Sequence, residues 1–382
     1  MAIESFTVLQ TFNGNFVMTI CIDIIAGARP NFMKIAPIIH AIQKRASEGG
    51  QLRFRLIHTG QHYDQKMSGD FFSQLNIPAP DINLGVGSGS QAEQTAGIMI
   101  GYEKAIHQSR SRMCLVVGDV TSTMACAVTA RKMGIPVSHV EAGIRSGDWT
   151  MPEEINRVVT DSVTNEFFTT SIFANENLKR FGINQENIHF VGNTMIDTLL
   201  SNMSALRPPA CWSEHGLQSG QYLVLTLHRP SNVDVAERLS AILNEIGKHA
   251  VGHLVIFPVH PRTSKIIENL GPLPPSLIMI DPQPYLEFNY LVKNSKAVLT
   301  DSGGITEETT VMGIPCMTLR DSTERPETVD IGTNVMLGTD PKMIGPALAK
   351  CFSNQWKKGS IPEKWDGKAG ERIVNILEKL LL

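Results

Sequence analysis

The stretch Thr300-Asp301-Ser302-Gly303-Gly304-Ile305-Thr306-Glu307-Glu308 directly follows the apolar run Ala297-Val298-Leu299. A strand that runs into paired glycines and then a helix-forming segment makes an anion site. Backbone N–H groups point outward at a helix N-terminus, the macrodipole favours negative charge there, and glycine lets the anion approach closely. A nucleotide diphosphate fits this chemistry, with Ser302, Gly303 and Gly304 at the phosphates and Glu308 accepting from ribose hydroxyls. The same pattern also describes an ordinary strand-to-helix corner of an α/β domain. A second glycine turn, Gly27-Ala28-Arg29-Pro30-Asn31-Phe32-Met33-Lys34, places the cations Arg29 and Lys34 beside a helix start marked by Pro30.

Three carboxylates stand at successive strand ends and loops: Asp119 in Gly118-Asp119, Glu141 in His139-Val140-Glu141, and Glu153 in Pro152-Glu153-Glu154. Asp119 serves equally as a helix N-cap, and carboxylates at the start of a helix suit the dipole in any case. Together they concentrate proton-transfer groups in one crevice. His228 ends the run Tyr222–Thr226 plus Leu227, where an imidazole can protonate or hydrogen-bond a leaving phosphate. Phe288 offers a slot for a flat base, although an aromatic there is as readily part of the core, and Arg325 offers a further cation. The run Gly85-Val86-Gly87-Ser88-Gly89-Ser90 only approximates a dinucleotide fingerprint, since serine stands at its third glycine position.

The elements that must position these groups alternate along the chain. Apolar strand-type runs fall at Met18–Ile25, Phe54–His58, Met113–Val117, Val137–Val140, Glu166–Thr169 and Ile188–Val191. A second series falls at Tyr222–Thr226, Leu254–Pro258, Leu277–Ile280, Ala297–Leu299, Cys316–Leu319 and Val335–Leu337. Helix-length segments separate most of them, which predicts α/β architecture with two Rossmann-like, doubly wound domains facing a cleft. The expected domains are 18–190 and 191–362, with a polar connection at Ser201–Gly220 that contains Pro208-Pro209. Residues 363–382 read as a C-terminal helix packing back on the first domain, and residues 1–17 as a leader or start artefact.

The 382 residues include 42% hydrophobic and 19% charged residues, with mean hydropathy −0.04 and net charge −3. That balance excludes a globally basic nucleic-acid binder, so no nucleic-acid partner is expected. The six cysteines show no metal-ligand spacing, so no metal site is expected and a reducing, cytoplasmic compartment is. No apolar stretch is long enough to cross a bilayer, so no membrane partner is expected.

These segments together resemble the non-hydrolysing UDP-N-acetylglucosamine 2-epimerases from about Met18 to the C-terminal helix. The ordered matches are Gly27–Pro37, Gly60-Gln61-His62, Gly118-Asp119, His139–Arg145, Pro152–Arg157, Gly192-Asn193-Thr194, His228-Arg229, Pro258-Val259-His260, Asp281-Pro282-Gln283, Asp301–Glu308 and Glu324-Arg325-Pro326-Glu327. The resemblance implies a glycosyltransferase-B type fold, a homodimer, and interconversion of UDP-N-acetylglucosamine and UDP-N-acetylmannosamine for surface polysaccharide pathways. It implies that Arg29, Gln283, Phe288, Ser302, Gly303, Gly304, Glu308 and Arg325 hold UDP. Lys34, Asp119, Glu141, Glu153 and His228 would line the sugar, and Gln61, Arg229 and His260 match positions of an activator site in some members. Ala28 and Asn31 stand where threonine and glutamate are frequent, Pro230-Ser231 replaces an Arg-Glu pair, and the loop Asp148–Pro152 is shorter by about two residues than in some members.

The C2 proton of such a sugar is not acidic, so the expected route expels UDP from C1 as that proton leaves, giving a 2-acetamidoglucal that recaptures UDP. No intact dinucleotide fingerprint is present, and no cofactor is expected. The alternatives are epimerisation of a modified derivative such as a 2,3-diacetamido uronate, a hydrolysing 2-epimerase, a retaining glycosyltransferase, and a non-catalytic UDP-sugar sensor.

Overall fold

The computed structural model describes residues 8–12, 15–60 and 74–382. The chain divides into two units, one made of Met1–Thr198 and Glu363–Leu382, the other of Leu199–Pro362.

In the first unit the strands are β1 (Val8–Phe12), β2 (Asn15–Ala26), β3 (Leu52–His58), β4 (Ile82–Asn83), β5 (Cys114–Val117), β6 (Val137–Val140), β7 (Glu166–Thr169) and β8 (Ile188–Phe190). They order as β4-β3-β2-β5-β6-β7-β8, parallel throughout, and β1 adds to β2 antiparallel. Strands with helices on both faces must be apolar on both, and Cys114, Leu115, Val116 and Val117 are accordingly all buried. The chain turns in opposite directions from the adjacent strands β2 and β5. Their carboxyl ends therefore flank the crevice where a doubly wound sheet binds ligands.

The second unit repeats the plan with β9 (Tyr222–Thr226), β10 (Leu254–Pro258), β11 (Leu277–Ile280), β12 (Ala297–Thr300), β13 (Cys316–Thr318) and β14 (Asn334–Met336). The order β11-β10-β9-β12-β13-β14, parallel at every pair, puts its switch point between β9 and β12. Its core is built from Leu223, Leu225, Val255, Phe257, Leu299 and Met317 under the helix Ala236–His249.

Three expectations need correction. The first strand begins at Asn15 rather than Met18, and residues 8–12, set aside with the leader, pair with it from Val8↔Thr19 to Phe12↔Asn15. The sequence signal for that hairpin is the Asn13-Gly14 dipeptide between two strand-forming runs. The two-residue strand β4 is too short to show in any periodicity. The boundary expected at 190 falls short of the division after Thr198. Pro37 lies inside the helix Arg29–Ser47 and lacks the N–H that would bond the Met33 carbonyl. The Thr198 hydroxyl donates to that carbonyl at 2.5 Å, which holds the chain to the first unit up to that residue.

The C-terminal helix Ala369–Leu381 also belongs to the first unit: the Gly370 N–H donates to Asp197 Oδ2 at 2.7 Å. The segment leading into it passes Gly192, whose φ of +96° and closeness to the Lys364 carbonyl leave no room for a side chain: a Cβ would lie 2.0 Å from that oxygen. Gly192→Ala should therefore lower folding stability by about 2–4 kcal/mol, read as a drop in denaturant midpoint at unchanged m-value. An unchanged midpoint would show that Lys364 withdraws without cost.

Candidate active site

In the first unit, the turn after β2 and the turn after β5 are joined by Asn31. Its Oδ1 accepts from the Gly27 and Ala28 N–H groups at 3.1 and 2.9 Å, and its Nδ2 donates to the Val117 carbonyl at 3.1 Å. A glutamate at this position would accept but could not donate to a carbonyl, so the Asn31 departure from the commoner pattern is a working brace. One turn on, Lys34 Nζ lies 2.7 Å from Glu141 Oε2, with both side chains largely buried. Glu141 ends β6 with φ +68°, a left-handed conformation that costs a non-glycine residue about 1–3 kcal/mol and concentrates at functional sites. A Cβ at Gly118, itself at φ +69°, would lie 3.1 Å from Lys34 Nζ and 3.8 Å from Glu141 Oε2. Glycine there lets the strand end close onto the ion pair.

Asp119 pairs through Oδ2 with Arg157 Nη2 at 2.5 Å, and its carbonyl accepts from Asn156. Arg157 also meets Glu154 Oε2 at 2.8 Å. Burial opposes ionisation of Glu154, yet the Ser146 N–H, Arg157 and the Gly147 N–H together hold its carboxyl below the ordinary range. Glu153, half-buried in the first turn of the helix Pro152–Val163, makes no hydrogen bond or ion pair among the described residues. Beneath this layer, His139 joins Asp161 at 2.7 Å and the Gly118 carbonyl at 2.8 Å. Asp161 also takes Arg145 at 2.7 Å and the Gly143 N–H at 3.1 Å. Complete burial works against its charge, but His139 and Arg145 outweigh that and keep its carboxyl low.

In the second unit, Asp301 occupies the switch point. Its carboxylate accepts from the N–H groups of His228 and Arg229 and from the Asn232 amide, at 3.0–3.2 Å. It also lies 2.7 Å from His228 Nδ1. Burial again opposes its charge, while the His228 ring and Asn232 overcome that and lower the carboxyl. Asp301 is fully buried whereas the His228 side chain is 55% exposed, so one ring nitrogen is fixed and the other edge of the ring faces outward. Ser302 is the N-cap of the helix Gly303–Met312 but makes no side-chain capping bond, and the first turn carries no acidic residue. A helix start with two glycines and no side-chain cap suits an anion.

Glu308, inside that helix, is 4% exposed. Burial pushes its carboxyl up to about 7, although the Tyr285 hydroxyl and the Asn289 amide favour its charge. Phe288 packs against the buried cluster of Tyr222, Val224, Leu291 and Val298, so the structure gives it a core contact. Gln283 donates to the Asp281 carbonyl at 2.7 Å and opens onto a cavity of about 710 Å³ shared with Lys265 and His215. Arg325 is buried against Glu307, 2.5 Å away, and Arg229 approaches Glu324 at 3.7 Å. His260 is exposed ahead of the helix Pro261–Ile267. Gln61 and the side chain of Arg29 lie outside the described residues. Sequence reading did not single out Asp161, Arg157, Asn156 and Asn232, which bond to the candidate groups, although Asn156 and Arg157 lie in the matched segment Pro152–Arg157.

A family model described as UDP-N-acetylglucosamine 2-epimerase matches residues 44–378. A UDP-N-acetylglucosamine 2-epimerase of Methanocaldococcus jannaschii is 39% identical over 368 residues, 93% of this chain and 98% of that protein. A UDP-2,3-diacetamido-2,3-dideoxy-D-glucuronate 2-epimerase of Pseudomonas aeruginosa is 40% identical over 366 residues, 93% of this chain and 99% of that one. The crystal structure of the M. jannaschii enzyme in complex with UDP-GlcNAc and UDP superposes with a TM-score of 0.83 at 38% identity, covering 94% of this chain and all of the other.

Glu308 generates a pH test. Its carboxyl sits near 7 in the fold against an ordinary 4.5, so between those values the folded state holds a proton that the unfolded chain releases. Its contribution to stability is full below the ordinary carboxylate range and is lost as pH rises through about 7. Glu308→Gln should flatten that decline, by on the order of 3 kcal/mol across the window, in denaturant midpoints measured against pH. An identical slope in both proteins would show a carboxyl that stays ionised.

Proposed function

The chain belongs to the UDP-N-acetylglucosamine 2-epimerase family, and from that premise we propose that it interconverts UDP-N-acetylglucosamine and UDP-N-acetylmannosamine without a cofactor. The observation that carries the reading is the set of carboxylates Asp119, Glu141 and Glu153 at the carboxyl edge of the first unit's sheet, one held by Arg157, one by Lys34 and the third without a partner among the described residues. Such a set supplies one carboxylate to take a proton from one face of the sugar and another carboxyl to return one to the opposite face.

In this reading a carboxylate takes the C2 proton while the bond from C1 to the diphosphate oxygen breaks. The C–H electron pair becomes the C1=C2 double bond, and UDP leaves with the electrons of the broken bond. A second carboxyl returns a proton to the opposite face of C2, and UDP adds back to C1. Asp119, Glu141 and Glu153 share these transfers. Arg29 and His228 meet the developing charge on UDP, and Asp301 orients His228 for that task. Ser302, Gly303 and Gly304 hold the diphosphate and Glu308 the ribose, with Gln283, Phe288 and Arg325 completing the nucleotide site. Gln61, Arg229 and His260 are the candidates for a second, activating nucleotide. The reading extends to a cytoplasmic homodimer that supplies polysaccharide synthesis. A second reading, favoured by the P. aeruginosa relative, is the same chemistry on a diacetamido uronate.

Turnover in deuterium oxide should place deuterium at C2 of both epimers, observable by NMR. Epimerisation with no deuterium at C2 in either pool would defeat the elimination route. Glu153→Gln should lower kcat by about 10²–10⁴-fold while UDP affinity, from calorimetry, stays within a few-fold. A kcat within threefold of wild type would remove Glu153 from the proton path.

A further inference from the structure

Glu308 lies buried inside the helix Gly303–Met312, and the groups that act on its charge are neutral dipoles, the Tyr285 hydroxyl and the Asn289 amide. Its neighbours are differently served. Glu307 has Arg325 at 2.5 Å, and Glu287, on the helix Tyr285–Asn294, has Arg207 at 2.6 Å. The other titratable side chains on the elements packed against this helix are Tyr290, Lys293, Cys316, Glu327 and Asp330. None of them, nor Asp301 just after β12, contributes to the charge balance at Glu308. An ionised Glu308 would be a buried charge with no cation beside it.

Asn289 shows what this cluster lacks. The residue is fully buried, and its Nδ2 reaches the Tyr285 carbonyl at 3.3 Å and Glu308 Oε1 at 3.4 Å. Its Oδ1 has no hydrogen-bond partner among the described residues. Both amide contacts are long, and a buried acceptor left without a donor is costly. With the amide turned end for end, the oxygen faces Glu308 and accepts a hydrogen bond when the carboxyl carries a proton. One proton on Glu308 thus removes an uncompensated charge and supplies the missing donor. Burial, which pushes this carboxyl up to about 7, acts in the same direction.

Resting on the proposed assignment of Glu308 to the ribose, we infer that nucleotide capture ionises Glu308. In the free protein the carboxyl is neutral and donates to Asn289. The two ribose hydroxyls then donate to it, the Glu308 O–H bond breaks with its electron pair left on the carboxylate, and the proton passes to solvent. Hydrogen bonds to the charged form of a carboxyl are the stronger ones, so the diol supplies the stabilisation that the chain's own groups withhold. The sugar nucleotide is therefore gripped by a carboxylate that exists only while ribose is present, and acid weakens that grip.

The test is calorimetric titration of the full chain with UDP-N-acetylglucosamine, whose esterified phosphates do not titrate near neutrality, in buffers of different ionisation heat. At about pH 6 the wild type should release nearly one proton more than Glu308→Gln, and its Kd should be about tenfold weaker there than at about pH 8, a ratio that Glu308→Gln brings close to one. His228 meeting the diphosphate would take up a proton, the opposite sign, and equally in both proteins. Infrared difference spectra of the wild type give a second reading that needs no variant. The band of a protonated carboxyl should vanish on adding UDP-N-acetylglucosamine and persist on adding its 2′,3′-dideoxyribose analogue. Equal proton release in the two proteins, or no carboxyl band lost on binding, overturns the inference while the epimerase reading stands. Absence of any binding or turnover of UDP-N-acetylglucosamine would instead overturn that reading and this inference with it.

Discussion

A buried imidazole is the constraint on which the first unit's reactive edge depends. His139 has no exposed surface, and its two ring nitrogens meet Asp161 and the Gly118 carbonyl. Through Asp161 the same contact reaches the Gly143 N–H and Arg145, and through Gly118 it reaches the turn that carries Asp119. The strained backbone of Glu141 sits two residues from this ring. A left-handed glutamate persists only where its surroundings over-determine it, and a fully buried, doubly bonded ring between adjacent strand ends supplies that rigidity.

The two units apply one topology to opposite electrostatic tasks. Each has buried carboxylates held in the charged form by named partners against the cost of burial, Glu154 and Asp161 in the first and Asp301 in the second. In the first unit those partners are Arg157, Arg145 and His139 together with backbone N–H groups, and Glu153 has no ion-pair partner among the described residues. In the second, Asp301 is met by backbone N–H groups, an amide and one imidazole, and Ser302 makes no side-chain capping bond at the adjoining helix start. Glu308 is the exception, since burial leaves its carboxyl near neutrality and ready to respond to a hydrogen-bonding partner.

Much of the fold was legible because its signals are local. A parallel strand buried on both faces must be apolar for several residues in succession, so the runs Tyr222–Thr226 and Ala297–Leu299 fall in β9 and β12. The hairpin strand β1 and the short strand β4 carry no such run. Among the candidate groups, position at a strand end was readable, because doubly wound folds bring those ends to the ligand edge. Partnership was not. The Lys34–Glu141 pair spans residues 34 and 141, and Arg157–Asp119 spans 119 and 157.

The sequence by itself determined the alternating architecture and which candidate side chains lie at strand ends. Hydrophobic period, glycine turns and residue type act over a few neighbouring positions. Only the tertiary structure decided which strands stand next to one another at the switch points, which carboxylates are paired with cations, and that the first unit runs to Thr198 rather than to 190. Those outcomes depend on burial and on contacts between chain segments far apart in sequence, where charge is set by desolvation and by the partner that packing supplies.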